Sequence, residues 1–215
     1  MGEALFAGEG LALVLGLGNP GSTYEGSRHN LGYMVGEELC RRHAIALKRG
    51  GLRTRKLKSL WGRGQIAGRP VIVAQPLTYM NLSGQAAASI LAYFDLAPEQ
   101  MIVVHDDLDL APGRIKVAVK GGAAGHRGVS SVQSFVGTDR FVRVKVGIGR
   151  PRFQEAMEEY VLNEFYPDQH DIFKQVVKAA ADCVEMILAQ GPQAAMERFH
   201  LLNKQTAEGE GSCKI

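Results

Sequence analysis

The chain has 215 residues, of which 46% are hydrophobic and 22% charged, and its formal net charge is +3. That is enough for one domain with a full core, and no apolar run is long enough to span a membrane. No basic-then-apolar secretory leader is visible, and the odd, well-separated Cys40, Cys183 and Cys213 suggest free thiols in a reducing, cytoplasmic setting rather than a disulfide framework or a zinc site.

In chain order, residues 1 to 10 read as a frayed leader, and the apolar run Leu11 to Leu17 reads as a buried strand. The stretch Gly16 to Asn30 follows it: Gly-Leu-Gly-Asn-Pro-Gly-Ser-Thr-Tyr-Glu-Gly-Ser-Arg-His-Asn. Leu31, Met34, Val35 and Leu39 then carry helical spacing. Asn19 therefore stands at the end of the first strand, where open α/β sheets bind ligands. His29 stands just before the first helix, with a side chain suited to general-base work near neutrality. Gly16, Gly18 and Gly21 match the dinucleotide fingerprint by letter, but that motif needs a helix to open within it. Pro20, Gly21, Ser22 and Gly26 favour an irregular loop instead. A plainer reading makes the stretch a tight turn with a capping histidine.

From Arg41 to Arg69 there are ten Lys/Arg and no Asp/Glu. From Pro112 to Arg152 there are nine, with only Asp139 against them, whereas Phe153 onward holds eleven acids and five bases. Such blocks on a nearly neutral chain suggest a surface for polyanions, nucleic acid first. The competing account is a set of solvated edge-strand faces. Leu57 to Ile66 reads as a strand that turns at Ala67-Gly68-Arg69-Pro70 into the strand Val71 to Ala74, with Trp61 packing in the hairpin. Pro76 ends that strand and Thr78 to Leu82 forms a loop. A helix follows, with Ala86, Ile90, Leu91 and Phe94 on one face. Asn81 precedes it as a candidate cap. Met80 suits core or pocket lining, and Tyr79 offers a ring to a substrate or to packing.

Met101 to Val104 reads as a central strand that delivers His105, Asp106 and Asp107 to the sheet edge where Asn19 lies. His105, Asp106, Asp107 and Asp109 with His29 invite a metal reading, but no metal-loop spacing supports it. A pairing of Asp106 with His29 accounts better for the residues, because a carboxylate on one imidazole N–H fixes the tautomer and raises the basicity of the other nitrogen. Arg114 to Val119 and Phe141 to Ile148 alternate. Arg114 and Lys116, and Arg143 and Lys145, oppose the apolar residues of their strands. If the two strands are neighbours, these basic residues make one patch. Between them runs the glycine-rich Lys120 to Gly128, which suits a close backbone approach to a ligand. Asp168 then caps a long helix with Ile172, Val176, Ala180, Val184 and Leu188 inward. Gly191-Pro192 stops it, Gln193 to His200 form a last helix, and residues 204 to 215 read as a flexible tail. Alternating strands and helices imply a single α/β domain, residues 11 to 203, whose twisted, mixed but mostly parallel sheet is flanked by helices on both sides.

Gly-Leu-Gly-Asn-Pro-Gly with Tyr24 and Arg28-His29-Asn30, then Tyr79-Met80-Asn81, His105-Asp106-Asp107-Leu108-Asp109 and Val146-Gly147-Ile148-Gly149, resemble in order and approximate spacing the bacterial peptidyl-tRNA hydrolases. The resemblance covers nearly the whole chain. It implies hydrolysis of the ester between a peptide and the 3′ end of tRNA, without cofactor or metal, by a cytoplasmic monomer that needs no protein partner. By the same resemblance His29 is the general base for water and Asp106 orients it. Asn81 positions water or substrate, and Asn19 reads the peptide part. Tyr24, Tyr79, Met80 and Arg127 are expected to line the path of the tRNA end; the resemblance sets Lys116 and Lys145 on phosphate, and strand alternation adds Arg143 beside them. The chain departs from the usual pattern twice: Ala118 stands where a second lysine is common, and His126-Arg127-Gly128 replaces His-Asn-Gly. Arg127 cannot accept a hydrogen bond as that asparagine does.

A serine esterase is disfavoured, because no G-x-S-x-G elbow occurs and Ser83 and Ser130 look helical or capping. The remaining alternatives are a non-catalytic RNA-binding factor on the same fold, like the splicing-associated plant organellar relatives, and a nucleotide-binding domain indifferent to His29.

Overall fold

The computed structural model describes residues 10–200. Apart from Gly10, the ends expected to be flexible lie outside the described residues, as does Cys213. Seven strands form one mixed sheet: β1 (Ala12–Gly16), β2 (Lys48–Arg49), β3 (Ser59–Ile66), β4 (Arg69–Pro76), β5 (Met101–Asp107), β6 (Ile115–Ala118) and β7 (Val142–Gly147). The spatial order is β2-β3-β4-β1-β5-β7-β6. The central strands β4, β1, β5 and β7 run parallel. The margins β2-β3-β4 and β7-β6 are antiparallel, so the parallel part is the centre of the sheet.

Helices cover both faces, which is why β1 and β5 are buried throughout, and why β1, and β5 as far as Val104, read as continuous apolar runs. Ala12 and Val14 of β1 face one layer, with Leu31, Val35 and Leu39 of α1 (Leu31–Arg42) and Phe173, Val176 and Val184 of α5 (His170–Gln190). Leu13 and Leu15 face the other, with Ile90 and Leu91 of α2 (Ser83–Phe94) and Val129 and Val132 of α3 (Arg127–Val136). A short α4 (Met157–Leu162) lies between β7 and α5, and residues 192–200 are helical.

Three local expectations change. Asp168 lies in a 3-10 turn and pairs with Arg152 over 2.6 Å, while Gln169 occupies the cap position of α5. Ile172 is exposed, and Phe173 opens the buried stripe in its place. Asn81 does not cap α2: it sits in the 3-10 turn Met80–Leu82, and Leu82 holds the cap position without a side-chain bond.

The glycines after β1 serve packing. A Cβ on Gly16 would lie 2.2 Å from the Gly32 carbonyl oxygen, and one on Gly32 would lie 2.4 Å from the Leu17 nitrogen and the Val104 oxygen. The first turn of α1 is thereby pressed onto the ends of β1 and β5. No helix opens inside the fingerprint-like stretch. Its 3-10 turns Ser22–Tyr24 and Arg28–Asn30 precede α1, so the condition for pyrophosphate binding is unmet.

Candidate active site

The carboxyl ends of β1, β4, β5 and β7 open onto a cavity of about 530 Å³. Asn19, His29, Asn81 and Asp106 all line it, with Tyr24, Tyr79, Met80 and Arg127. Residues from Tyr79 to Asn81 follow β4, Asp106 ends β5, and Arg150 follows β7.

The turn that carries His29 is fixed from both sides. On one side Asn30 Oδ1 accepts from the Asn19 backbone N–H over 2.7 Å, and Asn30 Nδ2 donates to the Asn19 carbonyl over 3.0 Å. Asn19 Oδ1 in turn accepts from the Met80 N–H over 2.8 Å, which locks the β1 loop to the turn bearing Asn81. On the other side Arg28 is buried. Its Nη1 donates to the carbonyls of Tyr160 (2.9 Å) and Asn163 (3.2 Å), and its guanidinium lies 3.9 Å from the Tyr160 ring centroid and 4.5 Å from that of Tyr166. Arg28 Nε and Nη2 have no hydrogen-bond partner among the described residues, so the aromatic faces compensate the buried charge. Arg28 thus ties α4, the far wall of the cavity, to the residue before His29.

His29 Nδ1 lies 2.9 Å from Asp106 Oδ1. A carboxylate only accepts, so Nδ1 carries the proton and Nε2 keeps its lone pair. The ring makes no other hydrogen bond among the described residues. Burial lowers the His29 pKa, the charge and hydrogen bond of Asp106 raise it, and Arg127 lowers it; the net shift is upward. Burial alone would raise Asp106, but His29 and His126 hold its carboxyl well below the usual carboxylate range.

The second imidazole on Asp106 belongs to His126, whose Nε2 is 3.0 Å from the same Oδ1. Its Nδ1 accepts from the backbone N–H of Gly128 (3.1 Å) and Val129 (3.2 Å) as the cap of α3. Two donors at Nδ1 place the His126 proton on Nε2. His105 is buried beside it: Nδ1 donates to the Asp106 carbonyl over 2.6 Å, and burial, followed by His126, keeps its pKa well below the ordinary imidazole value.

These assignments bear on metal binding. Donor atoms of His29, Asp106 and His126 lie within 4.8 Å of one another. A metal there would strip both shared protons and leave His126 Nδ1 either as part of an imidazolate or as an N–H aimed at two backbone N–H groups. The other acids are committed: Asp107 Oδ2 lies 2.5 Å from Lys145 Nζ, and Asp109 Oδ1 2.6 Å from an Arg150 nitrogen. A cation could be held by these three side chains only at the cost of the hydrogen bonds just described.

Around this centre Asn81 and Tyr79 are exposed, Tyr24 is half-buried and Met80 is buried. Arg127 begins α3 and pairs with Glu158 on α4, both exposed and both on the cavity. The three phosphate candidates separate. Lys116 and Lys145 stand opposite each other in register, and Lys116 is exposed. Lys145 is engaged by Asp107. Arg143 is a correction: it is 2% exposed, with Nη1 donating to the Gly122 carbonyl over 2.8 Å, so it braces the glycine-rich loop instead of facing solvent.

Residues 13–208 match the sequence model of the family described as peptidyl-tRNA hydrolase. The chain belongs to the peptidyl-tRNA hydrolase family. It is 44% identical over 187 residues to the peptidyl-tRNA hydrolase of Aquifex aeolicus, covering 87% of this chain and 95% of that one. With its counterpart from Geobacillus thermodenitrificans it is 41% identical over 175 residues, 81% and 91% of the two chains. The crystal structure of peptidyl-tRNA hydrolase from Acinetobacter baumannii superposes with a TM-score of 0.81 at 32% identity, covering 88% of this chain and 94% of that one.

Within this peptidyl-tRNA hydrolase fold, sequence reasoning missed three parts of the site. The role of His126 had a signal, a histidine at the mouth of a helix, but no spacing shows that its other nitrogen meets Asp106. Arg28 adjoins His29 in sequence, yet its partners lie more than 130 positions away. The wall formed by Met157, Glu158, Val161 and Leu162 carries no motif at all.

Proposed function

We propose that this member of the peptidyl-tRNA hydrolase family cleaves the ester joining the peptide carbonyl carbon to the terminal ribose oxygen of tRNA, by direct attack of water. The observation that carries the reading is the 2.9 Å bond from His29 Nδ1 to Asp106 Oδ1, which leaves Nε2 as the base on the cavity. His29 Nε2 takes a proton from water as its oxygen attacks the carbonyl. Asp106 stabilises the imidazolium that results. The carbonyl electrons return, the ribose oxygen leaves, and the proton held by His29 passes to it. Peptide acid and free tRNA are the products, with no covalent enzyme intermediate.

Asn81 donates from its amide to the developing oxyanion or holds the water, a contribution of ~3 kcal/mol where such a donor is well placed. Asn19 keeps its amide N–H₂ for the peptide, because its oxygen already serves Met80. Tyr24, Tyr79, Met80 and Arg127 form the channel for the tRNA end. Lys116 and Lys145 meet backbone phosphate, so affinity falls with salt. Action as a cytoplasmic monomer is part of the reading; Cys40 and Cys183, free and buried, support the reducing setting alone. Among the described residues no helix is long and apolar enough to cross a membrane. The test is release of the acyl group from an N-blocked aminoacyl-tRNA by the wild type and by Asp106→Asn. Equal rates would remove the pair from the mechanism.

A further inference from the structure

The basic block at residues 41–69 is not used by this chemistry, and the fold gives it a definite place. Lys48 and Arg49 form the edge strand β2, while Arg53, Arg55, Lys56 and Lys58 belong to the loop that leads from it into β3, on which Arg63 lies. All seven are exposed. The acids Glu38, Asp182 and Glu185 are drawn off by Arg41 and Arg42 instead. None of the seven has an acidic partner among the described residues. Lys58 Nζ donates to Gln85 Oε1 over 2.6 Å, and Lys56 lies 5.6 Å from the centroid of the half-exposed Tyr93 ring.

The loop is not remote from the cavity. β3 runs antiparallel to β4, with Ser59 opposite Pro76, so the loop before β3 lies at the sheet edge where β4 delivers Tyr79–Asn81. The Leu77 N–H donates to the Lys58 carbonyl over 2.6 Å, two residues before Tyr79 on the cavity rim. From β5 this margin is four strand spacings away in one direction, roughly 19 Å, and the Lys116 margin is two spacings away in the other, roughly 10 Å. The site is flanked by cations on both sides.

Protection of an edge against strand pairing explains charges on β2 and β3. It does not explain Arg53, Arg55 and Lys56, which lie off the strands, nor a block free of acids. A uniform cation field whose members are unpaired and whose inner end touches the rim fits a phosphate backbone that continues out of the cavity. An exposed Tyr93 ring under Lys56 adds a flat surface of the kind RNA-binding faces use.

We propose that the margin from Lys48 to Arg63 is a second RNA-contacting surface, which holds the backbone of the same tRNA whose 3′ end occupies the cavity. The inference rests on the tRNA-ester reading above. It makes the margin a determinant of affinity for whole tRNA and not for the reacting end.

The test compares wild type with Arg53→Ala/Arg55→Ala/Lys56→Ala and with the matching triple glutamate variant. Two substrates are used: full-length N-blocked aminoacyl-tRNA, and the same N-blocked aminoacyl ester on a short 3′-terminal oligonucleotide. For whole tRNA the alanine variant should raise KM about tenfold with kcat unchanged, and the glutamate variant should raise it further. The slope of log affinity against log salt should fall by about two to three for three lost phosphate contacts. KM for the short ester should not move. Unchanged KM and salt slope with whole tRNA would overturn the proposal and leave a solvated face. So would a parallel rise with both substrates, which would mean a distorted cavity. Loss of binding to bulk ribosomal RNA with tRNA unaffected would assign the margin to a separate RNA and also overturn it. If wild type binds tRNA but releases nothing, the hydrolytic reading fails on its own, and the salt slopes of tRNA binding still decide the margin.

Discussion

His29 and His126 donate to the same oxygen of Asp106, over 2.9 and 3.0 Å, with their ring centroids 4.8 Å apart. The carboxylate is 2% exposed, so water contributes little to its solvation and the two imidazole N–H groups supply it. His29 is accordingly raised above the ordinary imidazole pKa, against the lowering by burial. A general base works in its neutral form, so with His29 in the proposed role kcat/KM should rise with pH through that raised value. In Asp106→Asn the charge is gone while burial and Arg127 still lower His29. The acid limb should move to lower pH, and the plateau should fall by roughly 10²- to 10⁴-fold. A pH profile of both proteins checks both parts.

The same pairing sets the pH dependence of stability. Asp106 is depressed in the folded protein, so it stabilises the fold above the unfolded carboxylate value of about 3.9, and that contribution is lost as pH falls through the depressed value. His29 is raised, so its contribution is fully present below about 6.5 and is lost as pH rises through the folded value. Urea unfolding at a series of pH values should show Asp106→Asn with a flatter acid side than wild type. An acid side as steep in the variant would assign the dependence to other carboxylates.

His126 has two separable duties, the cap of α3 and the donation to Asp106. His126→Ala loses both. His126→Asn restores a good cap, worth ~1 kcal/mol, but not the imidazole Nε2 donor. Thermal unfolding should therefore rank wild type and His126→Asn together above His126→Ala. Activity should rank both variants about tenfold below wild type, the worth of one charge-assisted hydrogen bond.

Arg127 and Glu158 span the cavity from α3 to α4, both largely exposed, so the pair adds little stability. Glu158→Gln frees Arg127 for phosphate. Its melting temperature should stay within a degree or two of wild type, and KM for tRNA should fall a few-fold. A rise in KM would mean that Glu158 orders Arg127 for the substrate rather than occupying it.

Lys116 and Arg143 should fail in different ways. Lys116 is exposed on β6, so Lys116→Ala should weaken tRNA binding and reduce the salt slope by about one without loss of stability. Arg143 is buried against the Gly122 carbonyl, so Arg143→Ala should cost stability, by about 1–3 kcal/mol in denaturant titration, as expected for a carbonyl left without its donor.

The sheet was legible because its strands are short β-branched runs between turn residues, as in Met101 to Val104. The long helix was legible from its stripe, but its first inward residue was not: Ile172 and Phe173 are adjacent and both apolar, and packing against α1 and β7 decides between them. Strand alternation placed Arg143 and Lys145 correctly on one face of β7. It could not show that this face is covered at Arg143 by the glycine-rich loop. Asn81 reads as a cap by residue type, yet the 3-10 turn ends one residue later and leaves it on the cavity. His29 and Asp106 could be matched because each stands at a strand or helix end on one sheet edge. His126 and Arg28 reach their partners through loop paths that have no period, and only tertiary structure displays them.

In the proposed mechanism His29, held by Asp106, activates water on the tRNA ester. The most direct test is acyl release from N-blocked aminoacyl-tRNA by wild type and His29→Ala, under single-turnover conditions with tRNA binding measured in parallel. The account predicts release by wild type, a fall of at least about 10²-fold in the variant, and nearly equal tRNA affinity. Equal release by both proteins would contradict it.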